Sequence, residues 1–219
     1  MTTSDIYIVD DDDAVRISLE QLLQLRPRTS VRSFASGEAF LEVLPELTPG
    51  CVLLDLNMPE ISGIGVLNAL SPFSSRFAVV MMTAQGDIGS AVQAMKSGAI
   101  DFLEKPCSHT TLFTAIDMAQ TRLQQVGAQA ERMGAAQAKL AQLSSRQLEV
   151  LKGLIHGRSN KAIAFGLDIS PRTVEIYRAK VMEKLEVRSL SEALGIAFAA
   201  GLFPAMASEG EAQETQAAG

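Results

Sequence analysis

No stretch of the chain approaches the roughly 20 consecutive apolar residues that span a bilayer, so no membrane helix is expected. Residues Met1 to Val9 carry no basic stretch leading into an apolar run and a small-residue cleavage site. They read as a first strand and not as an export signal. Cysteine is scarce: Cys51 and Cys107 stand alone, without metal-ligand spacing, which points to reduced thiols in a cytoplasmic protein. A basic surplus is also missing. The net charge is −6, and spread evenly it would argue against a nucleic-acid partner.

It is not spread evenly. Residues 1–122 hold 8 Lys/Arg against 15 Asp/Glu, whereas residues 143–203 hold 9 against 6. The stretch 123–142 is nearly neutral, and the tail 204–219 adds three Glu and no base. An acidic segment followed by a basic one implies a different partner for each. The 219 residues, 47% of them hydrophobic, suffice for two modest domains.

The first half alternates short apolar runs with helical periods. Strands are expected at Ile6–Val9, Val31–Phe34, Cys51–Leu56, Phe77–Met82 and Ile100–Leu103. Helical spacing falls at Val15–Leu23, Glu38–Leu44, Gly63–Leu70, Ile88–Lys96 and from Thr110 onward. Continuous apolar strands such as CVLLDL and FAVVMM suit a parallel sheet covered on both faces, so the expected class is a doubly wound five-stranded α/β sandwich over residues 1–122.

From Leu112 the helical pattern does not stop: Ile116, Ala119, Leu123, Val126, Ala130, Met133, Gln137 and Leu140 step by three and four. Residues 123–142 therefore read as a helical linker. Its thin seam of small residues, with Gly127 and Gly134 one heptad apart, fits either a solvated spacer or a weak pairing seam between two chains. Four further helices are expected at 145–156, 159–166, 171–185 and 189–201, an all-α domain over 143–203. Ser170 is placed as an N-cap with Pro171 at the first helical position. Residues 204–219 show no period and read as disordered.

Asp10 and Asp11 follow the first strand, Asp55 ends the third, Thr83 the fourth, and Lys105 follows the fifth. In a parallel sheet these positions share the carboxyl edge, where such folds bind ligands. Three carboxylates there would repel unless a cation joins them, and a hard divalent ion with oxygen ligands, Mg²⁺ or Mn²⁺, is the natural one. A lysine and a hydroxyl beside it suit phosphoryl oxygens. Asp12 and Asp13 read as solvated residues opening a helix, favoured by its dipole. Cys107 and His156 read as packing and surface residues.

IYIVDDDDAVR, LLDLNMPEISG, MMTAQGD and DFLEKP together resemble the receiver domain of two-component response regulators over about residues 4–122, a flavodoxin-like fold. The resemblance implies that Asp55 accepts the phosphoryl group. It implies that Asp11, Asp55 and the main-chain carbonyl of Asn57 bind the metal directly and Asp10 through water. It gives Thr83 and Lys105 the phosphoryl oxygens, Phe102 the place of the aromatic switch residue, and Lys105–Pro106 a cis peptide. Cys107 departs from the Phe common after Lys-Pro. Asn57, two residues after Asp55, cannot act as a general acid or base. The haloacid-dehalogenase phosphatases carry a second Asp there, so rapid phosphatase turnover is not expected. Asn57 and Gln85 are expected to tune the loss of the phosphoryl group to water.

In the basic segment, Ala162, Ile163 and Leu167 give one short helix an apolar face. Val174, Tyr177, Val181 and Leu185 do so for the next. The stretch from LSSRQLEVLKG to EKLEVRS resembles the LuxR-type helix-turn-helix, and the whole chain resembles the NarL/FixJ class of response regulators, on its FixJ branch. Gln147 stands where that family has Glu. Glu175, Ile176, Arg178 and Ala179 are the expected base-edge contacts; Lys161, Arg172, Thr173 and Lys180 are the expected phosphate contacts.

The expected function is that of a cytoplasmic, phosphorylation-dependent transcriptional regulator, by resemblance an activator. A sensor histidine kinase phosphorylates Asp55, a homodimer forms through the face around residues 87–106, double-stranded DNA is bound and RNA polymerase is engaged. Two rival readings stand beside it: an Asp-nucleophile phosphatase, and a DNA-binding scaffold that does not depend on phosphorylation.

Overall fold

Alternate side chains of a strand point to opposite faces of a sheet, and the three central strands are apolar on both. The result is a parallel sheet with helices on each side. The computed structural model describes residues 4–84 and 88–202. Strands β1 (Ser4–Val9), β2 (Thr29–Phe34), β3 (Gly50–Asp55), β4 (Phe77–Thr83) and β5 (Asp101–Glu104) are all parallel, in the order β2-β1-β3-β4-β5. Helices α1 (Asp13–Gln24), α2 (Gly37–Val43), α3 (Gly63–Leu70), α4 (Ile88–Lys96) and α5 (His109–Leu140) alternate with them. The strand order reverses between β1 and β3, and a crevice opens there at the carboxyl edge.

Tyr7, Val9, Val52, Leu54, Val79 and Met81 fill one face, packed on Phe40 of α2 and on Val66 and Leu67 of α3. Tyr7 stands among Phe34, Phe40 and Phe77 with ring centroids 6.0–6.5 Å away, and its hydroxyl donates to the Thr48 carbonyl at 2.8 Å. Ile6, Ile8, Leu53, Val80 and Met82 fill the other face, against Leu19 and Leu23 of α1 and Leu112 and Ile116 of α5. Each fully buried aliphatic side chain contributes about 1.5–3 kcal/mol, so the sheet is the rigid base on which the edge residues stand.

The chain forms two compact units that divide between Gly127 and Ala128. Helix α5 runs on for 32 residues, as the continuous periodicity implied. Its first turns cover the sheet, Leu123 and Val126 are half-buried, and Ala130 and Met133 are exposed. Ala136 and Leu140 belong to a core of the second unit.

That second unit holds α6 (Ser145–Ile155), α7 (Asn160–Leu167), α8 (Pro171–Leu185) and α9 (Leu190–Ala199). A serine caps each one: Ser144, Ser159, Ser170 and Ser189 accept the backbone N–H three residues on. Gln147 fills the place of the family's Glu without loss, because its amide oxygen accepts the Ser144 N–H at 2.8 Å and completes a capping box. Asp168 and Glu186 close α7 and α8 in the left-handed conformation. One expectation needs correction: Ala164, not Ala162, lies on the buried face of α7. Ile163 is seated against Gly153, where an added Cβ would stand 2.7 Å from its Cγ1. That seat turns the inner face toward Ile163 and Ala164.

Candidate functional site

Tight backbone geometry at the carboxyl edge brings the acidic residues together. Asp10 follows β1 with its N–H on the Phe34 carbonyl at 3.2 Å. Asp12 caps α1, accepting the Ala14 N–H at 2.8 Å, and Asp13 sits in the helix's first turn. Asp55 ends β3, and α3 begins hard against it: a Cβ on Gly63 would lie 2.1 Å from the Asp55 carbonyl oxygen. Only glycine permits that approach. The Asn57 N–H donates to Asp55 Oδ2 at 2.7 Å.

Lys105 joins the two ends. Its Nζ donates to Asp10 Oδ2 and to Asp55 Oδ1, both at 2.5 Å. The backbone around it is fixed by the Lys105 N–H on the Thr83 carbonyl at 2.7 Å, and the Lys105–Pro106 peptide is cis. Asp10 and Asp55 are 2% and 6% exposed. Burial pushes the Asp10 carboxyl above the ordinary carboxylate range, although Lys105 donates to it. Burial pulls the Lys105 ammonium down, but hydrogen bonds and charge from Asp10 and Asp55 outweigh it and hold the group above the usual lysine value.

Asp10, Asp11, Asp55, Asn57, Ala84 and Lys105 line one pocket of about 640 Å³, which continues past Val15, Leu22 and Cys107 between α1 and the segment after β5. Asp11 is exposed at its mouth. Among the described residues no three His, Cys, Asp or Glu side chains form a ready cage for an ion. Thr83 is fully buried at the end of β4, and Phe102 of β5 packs partly buried against the core on the α2 and α3 side of the sheet. Gln85 lies outside the described residues, as does the tail 204–219. Cys107 packs against the α1 and α5 core, and burial pushes the Cys51 thiol up to about 12.

In the second unit α7 and α8 are joined by a short turn. Val174, Val181 and Leu185 face inward with Tyr177 half-buried beside them. Arg172, Glu175, Ile176, Ala179 and Lys180 are exposed along the opposite side of α8, and Lys161 is exposed on α7. Arg172 pairs with Glu175 at 3.0 Å, and the Thr173 hydroxyl lies 2.8 Å from the Ser170 hydroxyl. Arg178 is different. It is half-buried, and its Nη1 donates to Asn160 Oδ1 at 3.0 Å, linking α8 to the start of α7.

Residues 6–117 match the family described as "Response regulator receiver domain", and residues 141–197 match "Bacterial regulatory proteins, luxR family". The chain belongs to the response regulators. The Transcriptional regulatory protein FixJ of Bradyrhizobium diazoefficiens is 44% identical over 204 residues, 92% of this chain and 98% of that one. Among solved structures, the response regulator StyR is 36% identical with a TM-score of 0.73, covering 90% of this chain and 99% of its own. Full-length FixJ from B. japonicum is 42% identical with a TM-score of 0.57, covering 93% and 100%. This response regulator is a FixJ-like transcriptional regulator and not a classical enzyme. No helix among its described residues is long and apolar enough to cross a membrane.

Of the residues expected from the sequence, Asp10, Asp11, Asp55, Asn57 and Lys105 line the pocket, Thr83 is buried behind it, and two residues that hold the pocket are not among them. Gly63 stands in the sequence only as a helix start, although the motif LNMPEISG carries it. Arg16 closes the motif VDDDDAVR. Its Nη1 donates to the Asp10 carbonyl at 2.6 Å. The signal for Arg16 was a cation in the first turns of a helix, where the dipole disfavours one.

Proposed function

We propose that this response regulator is switched by phosphorylation of Asp55 and that the switch governs DNA binding by the α7–α8 pair. The observation that carries the reading is the Lys105 ammonium shared at 2.5 Å between two buried carboxylates at the mouth of an open pocket. One cation does not balance Asp10, Asp11 and Asp55, and burial, with a smaller contribution from the Asp55 charge, raises the Asp10 carboxyl above its ordinary range. Such a donor set fits a hard divalent cation. Mg²⁺ commonly takes one or two carboxylates and keeps several waters, so it needs no complete protein cage. Asp10, Asp11, Asp55 and the Asn57 carbonyl would hold Mg²⁺ or Mn²⁺, and the ion would offset charge on a phosphoryl group in transfer.

The residues of the chain do the rest. An Asp55 carboxylate oxygen attacks phosphorus of a sensor kinase's phosphohistidine, and the phosphorus–nitrogen bond breaks as the acyl phosphate forms. Lys105 and Thr83 take phosphoryl oxygens. Phe102 packs further inward on β5, and the face of α4 and β5 then pairs two receivers. Ile88, Val92 and Met95, exposed on one side of α4 at helical spacing, supply an apolar stripe for that pairing. Asn57 carries no carboxylate to activate water, so loss of the phosphoryl group is slow. Asn57 and Gln85 set its rate.

The phosphoacceptor domain is assigned to residues 1–122, the linker to 123–142 and the DNA-binding domain to 143–203. The regulator works in the cytoplasm as an activator that recruits RNA polymerase. Glu175, Ile176, Arg178 and Ala179 face base edges; Lys161, Arg172, Thr173 and Lys180 face phosphates.

Acetyl phosphate and Mg²⁺ added to wild type and to Asp55→Ala, followed by intact mass and light scattering, test the reading. A phosphoryl adduct and a dimer in wild type alone are expected. An adduct on Asp55→Ala, or operator binding by that variant equal to phosphorylated wild type, would sink it.

A further inference from the structure

Asp11 lies between two peptide groups that are both tied down. On its N-terminal side the Asp10 carbonyl accepts from Arg16 Nη1 at 2.6 Å. On its C-terminal side the Asp12 N–H donates to Asp10 Oδ1 at 3.0 Å. The Arg16 N–H in turn donates to the Asp12 carbonyl at 3.1 Å, so one residue of α1 grips the turn at both ends. The Arg16 side chain is only 13% exposed although it sits near the exposed start of a helix, and its second guanidinium nitrogen is paired with Asp13. A cation in the first turns of a helix is electrostatically disfavoured. Arg16 is therefore held inward by these contacts and not by the helix.

We propose that Arg16 is a positioning residue for the acceptor reaction: its guanidinium fixes the Asp10–Asp11 peptide and so the direction in which Asp11 offers its carboxylate to the divalent cation. The proposal rests on the acceptor reading of the acidic pocket. A planar fork suits the role, because it reaches the Asp10 carbonyl and the Asp13 carboxylate at once, which a single ammonium does not.

Charge and geometry predict opposite signs. Removing a cation beside an acidic pocket tightens metal binding by electrostatics alone. Removing a clamp loosens it. The test uses the full chain and Mn²⁺ as the probe, with free Mn²⁺ read by electron paramagnetic resonance and folding checked by thermal melting. Arg16→Ala is expected to weaken Mn²⁺ binding about tenfold, the usual scale for losing a partner that orients a metal ligand. The Mg²⁺ needed for half-maximal phosphorylation from acetyl phosphate should rise by the same factor, with the rate at saturating Mg²⁺ less affected. Asp13→Ala keeps the carbonyl contact and is expected to stay within about twofold. Arg16→Lys keeps the charge without the fork and should weaken binding about threefold. It carries the test if the alanine variant does not fold. Unchanged or tighter Mn²⁺ binding in the Arg16 variants overturns the clamp and leaves the pocket reading intact. Wild type that neither binds Mn²⁺ nor gains a phosphoryl group overturns both.

Discussion

Replacing Gly63 by alanine puts one methyl group where the backbone of β3 already is. The added Cβ would stand 2.1 Å from the Asp55 carbonyl oxygen and 2.9 Å from Leu56 Cα. An unstrained carbon–oxygen contact is about 3.3 Å or more, so the start of α3 must retreat by roughly 1 Å. Neither neighbour is the flexible end of a side chain that can swing aside. Overpacking of this kind costs about 1–3 kcal/mol. The retreat also stretches the bond from the Gly63 N–H to the Leu56 carbonyl, now 2.9 Å, worth about 0.5–1.5 kcal/mol. A loss of roughly 2–4 kcal/mol follows, which for a unit of this size lowers the midpoint by roughly 8–16 °C. Calorimetry of the full chain reads this with an internal control, because the transition of the first unit should move and that of the second should not. On the proposed reading phosphorylation of Asp55 should slow as well, since the strained carbonyl belongs to the proposed acceptor residue. A midpoint shift below about 2 °C, with unchanged phosphorylation, would refute the close-approach argument.

Lys105→Met leaves two buried carboxylates without their shared cation and should cost about 3 kcal/mol at neutral pH. Asp10 already has a raised folded-state value, so the folded variant binds more protons than the unfolded chain between the ordinary Asp value and the folded one. Its stability should therefore rise as pH falls through that window and fall as pH rises, and urea titrations at several pH values check this. Asn160→Ala removes the acceptor that holds Arg178 and should cut discrimination between operator and non-specific DNA about tenfold while leaving the salt slope alone. Lys180→Ala should lower the salt slope by about one with discrimination kept, and both are read by binding titrations on a selected operator. Val92→Arg places a charge on the exposed stripe of α4. Light scattering should find the phosphorylated variant monomeric at concentrations where wild type pairs.

The central strands were legible because apolar runs on a two-faced sheet leave little ambiguity, the second and fifth because they fall between helical periods, and the long helix because nothing interrupts its period. The pocket was legible as an ordered set: Asp10, Asp55 and Lys105 take their meaning from falling on one edge together. What could not be read was the direction of individual side chains. Arg178 is expected from the sequence only as a base-edge contact, and its hydrogen bond to Asn160 depends on how α7 and α8 cross. Ala162 and Ala164 are equivalent to any hydrophobic pattern, and the seat of Ile163 on Gly153 decides between them. Gly63 and Arg16 were hidden for a similar reason. One matters for an atom it lacks, the other for a main-chain carbonyl, and neither leaves a periodic trace.

The charge balance of the pocket bears on how a small modification at its edge is felt on a distant face. Lys105 is committed to Asp10 and Asp55 at once, and its own N–H is committed to β4 through the Thr83 carbonyl. On the proposed reading a phosphoryl group on Asp55 would add acceptor oxygens within reach of that ammonium and bring further negative charge to a site where one lysine faces three carboxylates. The lysine must then share itself differently, and Thr83 lies on the strand to which its backbone is tied. Phe102, three residues back along β5, packs toward the α2 and α3 side of the sheet, in the same core as Ala94 of α4. A buried core resists continuous deformation, so a shift at Lys105 reaches α4 as a choice between two packings and not as a gradual bend. On the proposed reading, Lys105→Arg is the instructive variant. Its rigid fork would still bind both carboxylates but would hold them in one geometry. Phosphorylation of Asp55 would then persist while pairing through α4 is lost, and intact mass with light scattering separates the two. Loss of both together would mean that the lysine serves only the chemistry.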